Sequence, residues 1–515
     1  MRSSAIIIGF LWAFSVGSIV SAQEPNNSPL SVIDWFNQHQ TLKPPEETTP
    51  QVQSRKTKNT ISAIEVSILP PQTPDAVGLT SSTVSGFAAS IWQSSKSDKL
   101  VRMLDDMPVP RLPSLSILLT RLMVTEATPP SGTPGDFLAA RVRMLTKLGD
   151  VEPALALLDR AGPETSPEIF QLWADLTLLT AQESRLCAKL AAEPSLSPGY
   201  DYLVYCLVRT GDWNAAAATL LAAEALGELD PDTTLLLTRF LDPELFEDDP
   251  NDYEIGPQTT PLTFRLYEGI GEPWPTDQLP LAFAHADLRG LSGWRAQIIA
   301  AERLASTGAV SENLLLGVYT ANKPSATGGV WDRVAAVQNL ESAINDRDIE
   351  YLEQLLPNVW DSMGTVGLRH VIANLFSDDL ADMDWNDANT ASLVHQIGLL
   401  SRSYESIANT YWPTSHREAY LISVANGTTM GTTYSGYLPD AIRSGFAGEP
   451  SAEQTFLLAQ NSDGEALLTA ISSVASGRDA YPSDISHAIS TFQVLGLGDI
   501  ARQFSLQLML SSDPL

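Results

Sequence analysis

Leu148-Gly149-Asp150-Val151-Glu152-Pro153-Ala154-Leu155-Ala156-Leu157-Leu158 is the stretch whose reading decides the fold. It returns as Thr210-Gly211-Asp212-Trp213-Asn214-Ala215-Ala216-Ala217-Ala218-Thr219-Leu220, and a degenerate copy, Thr180-Ala181-Gln182-Glu183-Ser184-Arg185-Leu186-Cys187-Ala188-Lys189-Leu190, lies between. Equivalent positions 149, 181 and 211 are 32 and then 30 residues apart. A period of that size belongs to stacked helix-turn-helix units. Glycine takes the left-handed conformation that ends one helix, and the aspartate after it can cap the next. Ala154 and Ala215 stand where the two helices must approach closely. The spacing predicts helical hairpins over 136–147 with 152–160, 168–180 with 184–192, and 200–209 with 212–223.

Helical periodicity extends outward from this core. A helix over 91–107 stops at Pro108 and Pro110, and another over 114–125 precedes a Pro/Gly break at 129–135. Residues 84–241 therefore form an N-terminal helical-repeat region. An acidic stretch at 242–262, with Asp242, Glu244, Glu247, Asp248, Asp249, Asp252 and Glu254 among four prolines, reads as a linker. A C-terminal helical region covers 263–515, interrupted by a Gly/Thr/Tyr-rich loop at 425–449. There Leu400-Ser401-Arg402-Ser403-Tyr404-Glu405-Ser406-Ile407-Ala408 echoes the turn, and Leu497-Gly498-Asp499-Ile500-Ala501 restores its Gly498-Asp499 pair. The expected class is all-α, in helical hairpin repeats. Whether the two helical regions form one superhelix or two bodies is open at this level.

The Leu-x-Gly-Asp-x-x-x-Ala turns resemble those of the tetratricopeptide-like superfamily of helical repeats. The resemblance covers about residues 136–225, with echoes near 400 and 498. The units are nearer 31 residues than the family's 34 or so, and its full Trp, Tyr and Pro pattern is absent. The resemblance implies a TPR-like solenoid or superhelix that binds a protein or peptide on a concave face.

The first 22 residues have the pattern of a secretory signal: Arg2, an apolar run from Ala5 to Val20, and Val20-Ser21-Ala22 as a small-x-small cleavage site. The rival is an uncleaved anchor, for which the apolar run is short. Residues 23–60 are a Pro-rich tether, punctuated by Pro25, Pro29, Pro44, Pro45 and Pro50. Its island Leu30–Phe36, with Trp35 and Phe36, is a contact site either for the protein's own body or for a partner. Residues 61–83 are a short extended segment before the helices: 61–69 alternate as a β-strand does, Pro70-Pro71 ends the strand, and Pro74-Asp75 with Gly78 makes a turn.

Charge narrows the partners. The 515 residues carry 31 basic and 61 acidic side chains, a net of −30. That balance argues against nucleic acid and anionic membranes, whose binding needs Lys and Arg. The two cysteines, Cys187 and Cys206, fall on sequential predicted helices. In an exported chain they are either a disulfide or two buried thiols.

Reaction centres are sought by motif. No Gly-x-Ser-x-Gly elbow, Ser-x-x-Lys pair, His-Glu-x-x-His helix or phosphate-binding glycine loop occurs. Asp382, Asp384 and Asn386 have the first three spacings of a calcium loop, but Asp387 and Leu393 replace its Gly and Glu. A solvated loop with a helix cap accounts for the same residues. Glu183-Ser184, Glu341-Ser342 and Glu405-Ser406 share the Glu-Ser pair of lytic transglycosylases, but none has that family's aromatic context. No catalytic, cofactor-binding or metal-ligating residue is assigned. The expected function is a non-catalytic protein- or peptide-binding scaffold of the cell envelope, periplasmic in a Gram-negative cell and otherwise secreted, with Trp173 and Trp213 as possible partner contacts or core residues. The alternative is a cell-wall (peptidoglycan) enzyme or an inactive relative.

Overall fold

The computed structural model describes residues 73–246, 259–429, 431 and 433–511. Residues 69–515 form one compact unit. Every regular element among the described residues is a helix, so the chain is all-α.

The sequence repeat is a repeated turn. At Gly149, Ala181 and Gly211 the backbone is left-handed, with φ of 85°, 58° and 86°. The N–H of the next residue bonds back five positions, Asp150 to Leu145 O, Gln182 to Thr177 O and Asp212 to Leu207 O. That is a Schellman closure, and the following helix begins at once. The same turn recurs at Arg347, Gly367, Asn461 and Gly496, where Asp348, Leu368, Ser462 and Leu497 make the equivalent bond. A left-handed alanine or arginine costs more than glycine, so helix packing, not residue preference, enforces the turns at Ala181 and Arg347, whereas asparagine is a common left-handed C-cap.

Two expectations about these turns need correction. Gly498 does not occupy the left-handed position. Gly496 does, at φ 75°, while Gly498 opens helix Gly498–Leu510 and Asp499 lies in its first turn. Asp150 does not cap its helix as Asp212 does with Ala215 N at 3.1 Å. Asp150 is buried and accepts a hydrogen bond from the Thr120 hydroxyl. Burial pushes its carboxyl up to about 6. The echo at 400 closes differently again: Ser401 Oγ donates to Gly398 O at 2.7 Å and accepts from Ser403 N at 3.1 Å, with no left-handed residue.

The array returns on itself. Helix Pro113–Met123 packs against Asp136–Leu148, Trp294–Thr307 and Gly498–Leu510. Helix Ser97–Asp105 packs against Asp136–Leu148 and Asp463–Ser473. Main-chain bonds tie the junction, with Arg111 N to Ala475 O at 2.9 Å and Gly464 N to Ile91 O at 3.2 Å. Ser114 N donates to Gln507 Oε1 at 3.0 Å, across 393 positions of sequence. In an open solenoid each unit touches only its neighbours, whereas here the two described ends meet. The turn at 148–150 docks into this junction. Thr307 Oγ donates to Leu148 O at 3.0 Å and the His285 ring contacts Gly149 O through Nε2 at 2.7 Å. A Cβ on Gly149 would lie 2.8 Å from Leu304.

Of the extended segment expected at 61–83, residues 61–72 lie outside the described residues. Residues 73–83 form no sheet strand. They contain the 3-10 turn Pro74–Ala76, the start of helix Ser82–Ser85 and a single bridge from Thr80 to Thr125. Pro74 removes a donor, and the edge offered after helix Pro113–Met123 is only a few residues long. Gly78 is required there, since a Cβ would meet Glu126 N at 2.1 Å. Arg141 fastens the segment. It is fully buried and donates to Met123 O at 2.7 Å, Val77 O at 2.8 Å and Asp75 O at 3.2 Å. The Asp75 carboxylate accepts from Gly135 N and Leu138 N at the start of Asp136–Leu148. Burial lowers the guanidinium to about 10, Asp75 opposing, so it stays charged at neutral pH.

The acidic linker expected at 242–262 lies outside the described residues over 247–258. The helices that flank it, Pro231–Leu241 and Pro261–Gly269, pack on each other. Helices Glu183–Ala192 and Tyr200–Arg209 also pack together and carry Cys187 and Cys206 at disulfide-bonding distance.

Two substitutions test this architecture by chemical denaturation. Gly464→Ala places a Cβ 2.3 Å from the Trp92 ring and is expected to cost about 1–3 kcal/mol, as overpacking does. Cys187→Ser with Cys206→Ser is expected to lose about 3 kcal/mol, the chain-entropy value for so short a loop.

Candidate functional site

Helix Trp213–Leu226 is the most exposed apolar element near the repeat turns. Asp212 caps its start, alanine favours it throughout, and Gly227 ends it at φ 72°. Only Ala216, Leu220 and Ala223 are buried, facing Tyr200–Arg209 and Pro231–Leu241. The outward side carries Ala217, Ala218, Leu221 and Ala225 in one stripe, with Trp213 and Leu226 at its ends. Trp213, Leu221 and Leu226 are 51%, 66% and 65% exposed. A helix apolar on all sides is ordinarily covered on all sides.

A cleft of about 650 Å³ lies between helix Pro261–Gly269, the Thr276–Gln278 turn and the start of Trp294–Thr307. Trp274 forms one wall and stacks on Tyr267 with ring centroids 4.1 Å apart. Glu268, Asp277 and Asp287 line it, and Glu268 and Asp287 are engaged by neighbours. Glu268 pairs with Arg265 and, at 2.7 Å, with Arg289. Asp287 accepts from the hydroxyls of Thr276 and Ser292. The cleft can hold a ligand against an indole face.

The residues singled out from sequence separate clearly. Trp173 is core: it is 3% exposed and its Nε1 donates to Asp159 at 2.9 Å. Trp213 is on the surface. Trp35 and Phe36 lie outside the described residues. Glu183 accepts from Arg265 at 2.9 Å and Arg209 at 3.1 Å, and Glu405 pairs with Arg502, so both are tied into ion pairs. In the calcium-like stretch Asp382 receives Arg347 at 3.1 Å. Asp387 caps helix Ala388–Leu399 through Thr390 N at 2.8 Å. Among the described residues no group of three His, Cys, Asp or Glu side chains has metal-ligand geometry, and no helix is long and apolar enough to cross a membrane.

Sequence reasoning missed the buried polar clusters. Glu302 accepts two bonds from Arg333, at 2.9 and 2.6 Å, and one from the Tyr319 hydroxyl at 2.7 Å. Ser392, His395 and Glu418 gather near Tyr411, a Ser, His and carboxylate grouping with a catalytic look. Its wiring is wrong for a nucleophile. Ser392 donates to Glu418 rather than to the imidazole. His395 stacks on Tyr411 at 4.1 Å and neither ring nitrogen has a hydrogen-bond partner. Burial depresses His395 to about 4, against the pull of Glu418. Burial would raise Glu418, but donors from Ser392, Thr414 and Ser415 overcome it and hold it at about 2. These residues are distant in kind and period from the repeat, so no spacing announced them.

No family model matches the chain, and neither a curated protein nor a solved structure is similar to it.

The buried imidazole gives a pH signature. Its folded-state value of about 4 lies below the free value of about 6.5. The neutral ring therefore favours the fold above 6.5, and that stability is lost as pH falls towards 4. Urea titrations at pH 7 and pH 4 are expected to show His395→Phe losing less than the wild type, by up to ~3 kcal/mol. Equal losses would remove this reading of His395.

Proposed function

We propose that the protein is an exported, non-catalytic helical-repeat scaffold of TPR-like type that binds a protein or peptide in the cell envelope. The observation that carries this reading is the outward apolar side of helix Trp213–Leu226, with Trp213 and Leu221 more than half exposed. Exposed contiguous apolar surface beside polar residues marks interaction sites. The groups that invite a catalytic reading favour the same view by their wiring, since Glu183 and Glu405 sit in ion pairs. Export rests on the signal-like pattern of residues 1–22 and agrees with the Cys187–Cys206 pair.

A second reading, a cell-wall protein or inactive relative of a wall enzyme, draws on the Trp274 cleft. An indole face beside carboxylates is a surface on which a sugar ring can lie. Glu268 there is held by two arginines, which does not suit the uncharged general acid that glycoside hydrolysis needs.

Affinity capture of the protein without residues 1–22 from its native envelope fraction, with mild crosslinking and mass spectrometry, separates the two. A reproducible stoichiometric protein partner is the expected result. Retention on purified cell wall with no protein partner, weakened by Trp274→Ala, would replace the scaffold by the wall reading.

A further inference from the structure

The charge around the exposed helix defines its partner. From Thr210 to Thr238 the chain has no Lys or Arg. Asp212, Glu224, Glu228 and Asp230 are all exposed along this stretch. The flanking cations are engaged elsewhere: Arg209 reaches Glu183 at 3.1 Å, and Arg239 is buried with Glu272 at 3.9 Å. The apolar stripe is thus rimmed by carboxylates that no cation offsets among the described residues.

The shape suits a helix. Ala217, Ala218 and Ala225 leave the backbone accessible, so a second helix axis can approach to about 8–10 Å. Trp213 and Leu226 bracket this shallow bed and Leu221 stands within it. The 14 residues of Trp213–Leu226 span about 21 Å at 1.5 Å per residue, enough for a partner of about four turns.

We infer that the Trp213–Leu226 face docks a cationic amphipathic helix, its apolar side on Ala217, Leu221 and Ala225 and its Lys or Arg side chains reaching the acidic rim. The inference rests on the scaffold reading and gives it a site and a partner chemistry. Apolar anchors supply affinity, while the rim speeds encounter and excludes acidic partners. A second copy of this chain would set two acidic rims against each other, and an anionic bilayer would meet the same repulsion.

The test uses the full chain and a synthetic helix-forming peptide of Leu, Ala and Lys, about 14 residues long, with its leucines on one face. Two controls are its shuffled isomer and its Glu-for-Lys counterpart. Fluorescence anisotropy is expected to show the amphipathic Lys peptide binding at least about tenfold tighter than either control. Leu221→Glu and Trp213→Ala are expected to weaken it about tenfold, with thermal unfolding unchanged for Leu221→Glu, whose side chain is the more exposed. Phe456→Glu, at an exposed apolar residue elsewhere, should leave binding as it is. Equal binding of the shuffled peptide, or no effect of Leu221→Glu, would overturn the inference. So would a dimer that Leu221→Glu dissociates in sedimentation, which assigns the face to a second copy, or Leu221-dependent binding to anionic vesicles, which assigns it to lipid. An envelope partner still captured by Leu221→Glu would leave the scaffold standing and remove only this site, whereas no captured protein partner at all would remove the scaffold itself.

Discussion

The packing of helix Pro113–Met123 between Asp136–Leu148, Trp294–Thr307 and Gly498–Leu510 is the constraint on which the rest of the structure depends. It brings together three helices that are remote in sequence. Hairpin repeats alone would leave two apolar end faces to be capped by polar residues. Here each end covers the other. The cost is tight geometry at the junction: Gly464 must be glycine under Trp92, and Gly78 must be glycine against Glu126 N. The same crowding converts Asp150 from a helix cap into a buried acceptor for Thr120.

Several buried polar groups tie elements of this protein together. Arg141 binds the carbonyls of an irregular segment that has no sheet to satisfy it. Glu302, Tyr319 and Arg333 join three successive helices. Glu418 satisfies the amides and hydroxyl of the Thr414-Ser415 turn. Buried charges are tolerable only when paired and hydrogen-bonded, and in satisfying one another these groups are withdrawn from chemistry. The Trp213–Leu226 helix and the Trp274 cleft lie open at the surface.

Much of the helical layout was legible because hairpin turns depend on local rules. Gly149 and Gly211 announce a left-handed residue, and the alanines that follow announce close helices. The turn at Arg347 was illegible for the opposite reason: packing forces a left-handed residue there against its own preference, so nothing local marks it. The echo near the C-terminus was misplaced by two residues, because Leu495-Gly496 and Leu497-Gly498 present the same local pattern and only the helix ends choose between them. Of the candidate surface, Trp213 was visible as one of two tryptophans, but no spacing told it from Trp173.

By itself the sequence determined the all-α class, the hairpin turns with left-handed glycine and the pairing of Cys187 with Cys206 as one of two open readings, because helix capping and periodicity act over a few residues. Tertiary structure alone decided that the ends of the helical array meet, that Trp173 is core while Trp213 faces outward, that Arg141 and Glu418 are buried anchors, and that one helix keeps an apolar side uncovered. Those outcomes depend on which faces meet across hundreds of residues, and the free energy of burying a face belongs to the pair of surfaces rather than to either stretch of chain.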